Sequence, residues 1–325
     1  MSVVSFPFFI AAIAMASQTE GLVQRLAAAG CQDPEQAAKN LERLAPDADA
    51  RSQLEAALPA LLTGLRRVPD PDLALNNLER FNQAALDRRF LLGLVRDTPR
   101  IIHLLLTIFG SSQFLSDILV RHPTLFEWLL EPGIIRRPER KEELEEEARQ
   151  AVASARTLER RWGALRRFKV REILRIGLQD LLGRQTLAGI TEELSNLADV
   201  ALATALAVCR EELIQRHGVP QVVDGAGATR ECGFVILGLG KLGGRELNFS
   251  SDIDLIYLYE DEEGQSEGGQ KGKKEPREFF TTLAERLTHA MSDVTEEGFV
   301  FRTDLRLRPM GRSGPLVQSD RKSVV

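Results

Sequence analysis

Cysteine is scarce in this chain of 325 residues, and the three present, Cys31, Cys209 and Cys232, are far apart with no C-x-x-C spacing. That excludes a zinc ribbon and provides no disulfide framework, and it suits a reducing, cytoplasmic setting. Histidine is sparse too, and His103, His122, His217 and His289 form no catalytic constellation. Core or surface roles are expected for each. A basic excess is missing: the net charge is -5 and the pI near 5.6, which excludes a protein whose main task is to coat nucleic acid. Long apolar runs are missing as well. Val3 to Met15 is apolar but falls short of the roughly 20 residues of a spanning helix, and it has no basic flank before it. Residues 1–17 are therefore expected to be a buried leader or an over-called start rather than a signal peptide. No later segment reads as a membrane span.

What is present is an ordinary globular composition, 43% hydrophobic and 27% charged, in a chain long enough for two domains. From residue 18 to 217 leucine and alanine recur at three- and four-residue spacing, as in LEAALPALLTGLRR and LADVALATALAVCREELIQR, so this region is expected to be helical throughout. Within it, ERKEELEEEARQAVASARTLERRWGALRRFKVREILRIGLQDLLG is a long charged stretch. Its plain reading is a solvated helix face with i,i+4 pairs. Its sharper reading is that Arg166, Arg167, Lys169, Arg171 and Arg175 include cations that face a phosphate-bearing ligand.

After His217-Gly218 the pattern changes, with β-rich runs at FVILGL, IDLIYLY and FVFRTDLRLR. A boundary is expected there, with residues 218–325 forming a small α/β domain in the order strand, short helix, strand, helix, strand. The polar, glycine-rich DEEGQSEGGQKGKKEP reads as an exposed, mobile loop.

Two signals compete in GFVILGLGKLGGRELNFSSDIDLIYLYE. Gly238, Gly240 and Gly243 satisfy the dinucleotide-binding G-x-G-x-x-G, but only GRELNFSS separates Gly243 from the next strand, too little for a crossover helix. A Walker A loop is excluded because Lys241 is not followed by Ser or Thr. Asp252 and Asp254 are two residues apart in a strand, which projects both carboxylates to one face. Two such charges side by side are relieved by a divalent cation, and hard oxygen ligands suit magnesium. FVFRTDLRLRP supplies a third carboxylate. Read as a strand, it places Phe299, Phe301, Thr303, Leu305 and Leu307 on one face, with Arg302, Asp304, Arg306 and Arg308 on the other, a surface suited to polyanions.

A glycine turn about ten residues before D-h-D-h, with a later strand carboxylate, resembles the polymerase-β-type nucleotidyltransferases. The longer strings LGLGKLGGRELNFSSDIDLIYLYE, GFVFRTDLRLRPMGRSGPLV, LRRFKVREILRIGLQDLLG and FLSDILVRHPTLFEWLL resemble the glutamine synthetase adenylyltransferase family, over roughly Phe114 to Val317. The resemblance implies an α+β chain: an N-terminal all-α helical region followed by a small polymerase-β-like nucleotidyltransferase domain. It implies that Asp252, Asp254 and Asp304 hold magnesium ions, and that Gly240, Lys241, Gly243 and Gly244 lie against phosphate with Ser251 as a neighbouring hydroxyl. Lys241 stands where many members of the superfamily have serine. Arg302, Arg306 and Arg308 become candidates for incoming phosphate.

The implied activity is phosphorolytic removal of AMP from adenylyl-tyrosine of glutamine synthetase, giving ADP, the role of the family's N-terminal catalytic domain. The implied partners are glutamine synthetase, adenine nucleotide and phosphate, with the PII signalling protein acting through regions beyond GPLV. The ending QSDRKSVV does not resemble the family's continuation, so a truncated, C-terminally incomplete domain is expected. Three other readings stay open: AMP transfer from ATP, a non-catalytic binding module, and a free-standing transferase acting on small molecules.

Overall fold

The computed structural model describes residues 20–85, 99–131, 133–135, 137–223 and 227–320. The expectation for residues 1–17 lies outside them. Four helices of the first part start where a short polar side chain satisfies a free backbone N–H group. Helix α1 covers residues 20–28. Asp33 accepts from the Gln36 amide at 2.9 Å ahead of α2 (Pro34–Leu44), and Asp47 from Ala50 at 2.8 Å ahead of α3 (Ala48–Leu65). Asp70 does the same for Leu73 at 2.8 Å ahead of α4 (Pro71–Ala84). Helices α5 (Pro99–Ser111) and α6 (Gln113–Arg121) meet at Ser112, whose side chain caps α6, and α7 (Leu125–Leu129) follows. Leu65, Leu75, Leu105 and Phe109 are fully buried, and the Phe81 ring lies 5.6 Å from Phe109 and 5.7 Å from Phe126. Each such side chain contributes about 1.5–3 kcal/mol by leaving water.

No single helix among the described residues is long and apolar enough to cross a membrane. The pair Arg100–Ser111 and Gln113–Arg121 passes that test only jointly, bent by 120°. Its apolar residues Ile102, Leu105, Leu106, Phe109 and Leu119 are spent on the core just described.

A second compact unit comprises residues 137–176 and 183–325, while 177–182 belong with the first. The division therefore does not follow the change from helix to sheet at Gly218. Helices α8 (Lys141–Ala153), α9 (Leu158–Leu181, up to Ile176) and α10 (Leu187–His217) fall in the same unit as the strands. The physical reason lies in their side chains: Leu247 of the strand region donates its amide to Ser195 of α10 at 3.3 Å, and Arg245 donates to Asp199 of α10 at 2.9 Å.

The charged stretch is a solvated face in part, with Glu142, Glu145, Glu146, Arg149 and Arg160 exposed, but not throughout. Arg166, Glu172 and Arg175 are buried. Arg175 sits at the centre of an internal ion network: Nε donates to Glu172 at 2.7 Å and Nη2 to Glu193 at 2.6 Å, with Glu139 at 3.6 Å. Arg171 bridges Glu172 at 2.9 Å and Glu147.

Strands β1 (Pro220–Val223), β2 (Thr229–Glu231) and, later, β5 (Gly264–Ser266) form one antiparallel sheet in the order β2-β1-β5. The glycine-rich segment is largely exposed, as its composition predicts, but it contributes a short strand and defined hydrogen bonds. There the Gly268 amide donates to His217 O at 2.9 Å and the Lys271 amide to Arg216 O at 2.8 Å. Gly264 explains how the chain can come so close, because a Cβ there would lie 1.9 Å from the Gln221 carbonyl oxygen.

The second sheet carries the site. Strand β3 (Phe234–Leu239) runs into a single helical turn, α11 (Gly240–Gly243), and returns antiparallel as β4 (Ile253–Tyr259), with Leu239 opposite Asp254. The antiparallel return agrees with the exclusion of a dinucleotide fold, which needs parallel neighbours. On the other edge of β4 two short strands pair in parallel, β6 (Thr303–Asp304) at its start and β7 (Val317–Ser319) at its end. Alternation along β4 buries Ile253, Leu255, Tyr257 and Tyr259. Helix α12 (Pro276–Ser292) buries Phe279, Phe280, Leu283 and Leu287. The two sets meet in a stack in which Phe280 lies 5.2 Å from Phe234 and 5.5 Å from Tyr259, and the Tyr257 hydroxyl is 3.2 Å from Thr288 Oγ1. The fold is α+β, helices first and a mixed sheet region after them.

Candidate active site

The side chains on the opposite face of β4 begin with Asp252, just before the strand, and Asp254 within it. Parallel pairing sets Asp254 beside Asp304, at a spacing of about 4.8 Å between strands. The Asp-x-Asp spacing and the third carboxylate thus come together at one end of one sheet. The longer strand expected over FVFRTDLRLRP does not form, and only Thr303–Asp304 pairs. The chain turns away after Asp304 because Met310 and Gly311 take left-handed conformations (φ 64° and 55°) and Arg308 folds back, donating to the carbonyls of Leu305 at 2.7 Å and Gly314 at 3.4 Å. Leu307 consequently becomes exposed, and Arg308 braces a turn instead of standing on a strand face.

Gly240 has φ 53°, and a Cβ there would lie 2.6 Å from Asp254 Oδ2, so glycine is needed both for the turn and for the carboxylate behind it. Gly243 is needed for close approach alone, since its Cβ would lie 2.6 Å from the Gly238 carbonyl oxygen. Gly244 closes the turn, its amide donating to Gly240 O at 2.9 Å. Lys241 Nζ reaches Ser251 Oγ at 3.4 Å, and Ser251 in turn donates to Asn248 Oδ1 at 2.6 Å. Lys241 and Ser251 are therefore neighbours. Sequence reasoning missed Arg245. It adopts φ 60° and is anchored on Asp199 and Asn196 of α10, which fixes the turn against the long helix.

Two of the three aspartates already hold cations. Arg302 Nε donates to Asp252 Oδ1 at 2.5 Å and its Nη2 to Ser250 O at 2.9 Å. Arg306 grips Asp304 with its backbone amide at 2.8 Å and its Nε at 2.7 Å, and these hydrogen bonds hold the Asp304 carboxyl below the usual carboxylate range. A cavity of about 330 Å³ opens beside them, bounded by Asp252, Asp304, Arg306, Arg308 and Arg312. Arg312 had no sequence signal beyond its place in a glycine turn. A second cavity, about 350 Å³, lies by Trp162, Arg166, Arg286 and Asp293, but there Arg286 is paired with Glu212 and His289 with Asp293. The carboxylate-lined cavity is the better candidate because Asp252 and Asp304 on its wall lie at the same sheet end as Asp254 and the glycine turn.

The chemistry of the donor set suits a hard divalent cation. As placed, the three carboxylates do not converge within 4.8 Å; the group that does among the described residues is Glu139, Glu147 and Glu172, already served by Arg171 and Arg175. Asp252 and Asp304 are turned toward arginines that occupy the cation's electrostatic role. Asp254 is shaped around the glycine turn.

A glycine-rich hairpin turn facing strand-borne aspartates, on a mixed sheet behind a helical region, is the architecture of the nucleotidyltransferase class. The comparison with known families is specific: residues 102–321 match the model of the glutamate-ammonia ligase adenylyltransferase family, and the chain belongs to that family. Relatives named bifunctional glutamine synthetase adenylyltransferase/adenylyl-removing enzyme include that of Pseudomonas aeruginosa, 33% identical over 310 residues, covering 92% of this chain and 31% of the relative. That of Nitrosococcus oceani is 38% identical over 262 residues, covering 81% of this chain and 25% of the relative. The chain thus spans about a third or less of the length of these relatives.

Proposed function

We propose that the chain carries a magnesium-dependent site that removes AMP from adenylyl-tyrosine of glutamine synthetase by phosphorolysis, releasing ADP in the cytoplasm. The observation that carries this reading is the register of β4 and β6, which sets Asp254 beside Asp304 with Asp252 two residues earlier. Family membership supports the substrate, since relatives are named for adding and removing adenylyl groups on glutamine synthetase. Asp252, Asp254 and Asp304 would hold magnesium, which when bound supplies positive charge to phosphoryl oxygens.

The remaining roles belong to this chain's own residues. The turn from Gly240 to Gly244, which includes Lys241 and has Ser251 beside it, lies against the phosphate of the adenylyl group. Arg302 and Arg306 orient the attacking phosphate. A phosphate oxygen attacks the α-phosphorus, the bond to the tyrosine oxygen breaks, and that oxygen takes a proton from the phosphate. No strong general base is required, because the nucleophile is already an anion. Regulation through PII would use regions outside this chain.

The test is ADP release from adenylylated glutamine synthetase by the folded chain with phosphate and magnesium, Asp254→Asn run in parallel. ADP from the native chain and at least a hundredfold less from the variant is the expected outcome. Equal rates from the two would refute the assignment of the site.

A further inference from the structure

The five cations of helix α9 from Arg166 to Arg175 have different fates. Arg166 donates to the Asp293 carbonyl at 3.2 Å, Arg167 pairs with Glu297 at 3.0 Å, and Arg171 and Arg175 belong to the internal ion network. Lys169 has no ion pair among the described residues. Its ammonium instead rests over two rings, 5.1 Å from the centroid of Phe299 and 5.2 Å from that of Phe301. Ring faces attract a cation but leave its hydrogen-bond donors unfilled.

The position of this cage gives it meaning. The Phe299 ring is shared with Arg302, whose guanidinium carbon lies 5.8 Å from its centroid and whose Nε holds Asp252. Two cations thus converge on one ring beside a single carboxylate, leaving a positive charge uncompensated at the edge of the candidate site. Of the other guanidiniums at the cavity, Arg306 is engaged with Asp304 and Arg308 with backbone carbonyls, while Arg312 has no ion pair among the described residues. The cage is built firmly: the amides of Val300 and Phe301 both donate to Met291 O at 3.0 Å, and Ser292 Oγ meets Thr303 Oγ1 at 2.8 Å.

We propose that Lys169 and Arg302 form an anion subsite that takes the inorganic phosphate of the phosphorolysis. This rests on the proposed function. Burial, then the proximity of Arg302, depresses the Lys169 ammonium to about 8, and a bound phosphate dianion opposes that shift by supplying the missing counter-charge. Held there, phosphate presents an oxygen lone pair to the α-phosphorus. The new phosphorus–oxygen bond makes ADP, the bond to tyrosine breaks, and the phosphate proton ends on the tyrosine hydroxyl.

Two measurements test this. In ADP release, Lys169→Met raises the KM for inorganic phosphate about tenfold or more, leaves the KM for adenylylated glutamine synthetase unchanged, and Lys169→Arg restores most of the loss. Independently of turnover, inorganic phosphate protects Lys169 of the native chain from acetylation, read by mass spectrometry. An unchanged phosphate KM, or loss of kcat with both KM values altered together, overturns the subsite. If the native chain releases no ADP, the protection experiment decides alone: protection keeps the subsite while the proposed reaction falls, and absence of protection removes the subsite.

Discussion

Replacing Glu139 with glutamine is expected to make the protein more stable at alkaline pH and to flatten its stability profile across neutrality. Glu139 lies among the buried Glu172 and Glu193 and the more exposed Glu147, four carboxylates served by the guanidiniums of Arg171 and Arg175. Burial first, and the charge of Glu172 next, push its carboxyl up to about 7, against the attraction of Arg175. Its Oε2 is buried without a hydrogen-bond partner. The sign follows from linkage. The unfolded chain loses this proton near 4.5 and the folded chain near 7, so the stabilisation is full below 4.5 and is lost as pH rises to 7. The full difference corresponds to about 3 kcal/mol; sharing of charge across the network reduces the expected effect to about 1–3 kcal/mol. Urea denaturation of the native chain and Glu139→Gln at pH 5 and pH 8 measures it. The native chain should lose more stability than the variant between the two conditions. Identical losses would show that Glu139 titrates as a solvated carboxyl and refute the argument.

Gly240→Ala places a Cβ 2.6 Å from Asp254 Oδ2 at a φ of 53°, and should destabilise the chain by about 1–2 kcal/mol in denaturant titrations while displacing the carboxylate. Activity in the ADP-release assay should fall with it, whereas an alanine tolerated without loss of either would contradict the tight packing at this turn. The cysteines should resist alkylation at pH 8 in the native chain, because burial pushes Cys31 to about 11 and Cys209 to about 12 and raises Cys232 as well. Unfolding should expose all three, so rapid native-state labelling measured by mass spectrometry would show that these thiols are not enclosed.

Legibility from sequence tracked the range of the interactions. Helical periodicity and the strand–turn–strand around Asp252 and Asp254 are local patterns, and the structure contains them. The two-residue spacing placed both aspartates on one face because strand geometry alone determines it. Where distant groups decide, the local reading failed. FVFRTDLRLRP alternates like a strand, yet Arg308 binds carbonyls beyond it and ends the pairing at Asp304. DEEGQSEGGQKGKKEP has the composition of a loose loop, yet β1 and the end of α10 supply its missing hydrogen-bond partners. Arg171 and Arg175 of α9 read as part of a solvated face because two of their carboxylate partners, Glu147 on α8 and Glu193 on α10, join Glu172 of α9 only in the fold.

The same long-range pairing bears on how the candidate site would work. Asp252 and Asp304 are tied to arginines, whereas Asp254 is set by a glycine turn that leaves no room for a side chain. A site of three bare carboxylates would repel itself, so the arginines stabilise the resting arrangement. On the proposed reading, arriving phosphate offers Arg302 and Arg306 a second partner of the same charge, and the aspartates are freed by exchange of partners rather than by exposure of bare charges. The cost of opening the site is then offset by the substrate itself. This ties the order of events to Lys169: an extra cation that draws phosphate toward Arg302 makes that exchange start at Asp252, the outermost of the three and the one with its side chain about half exposed. Weakening the exchange at its start should therefore affect phosphate before it affects the protein substrate.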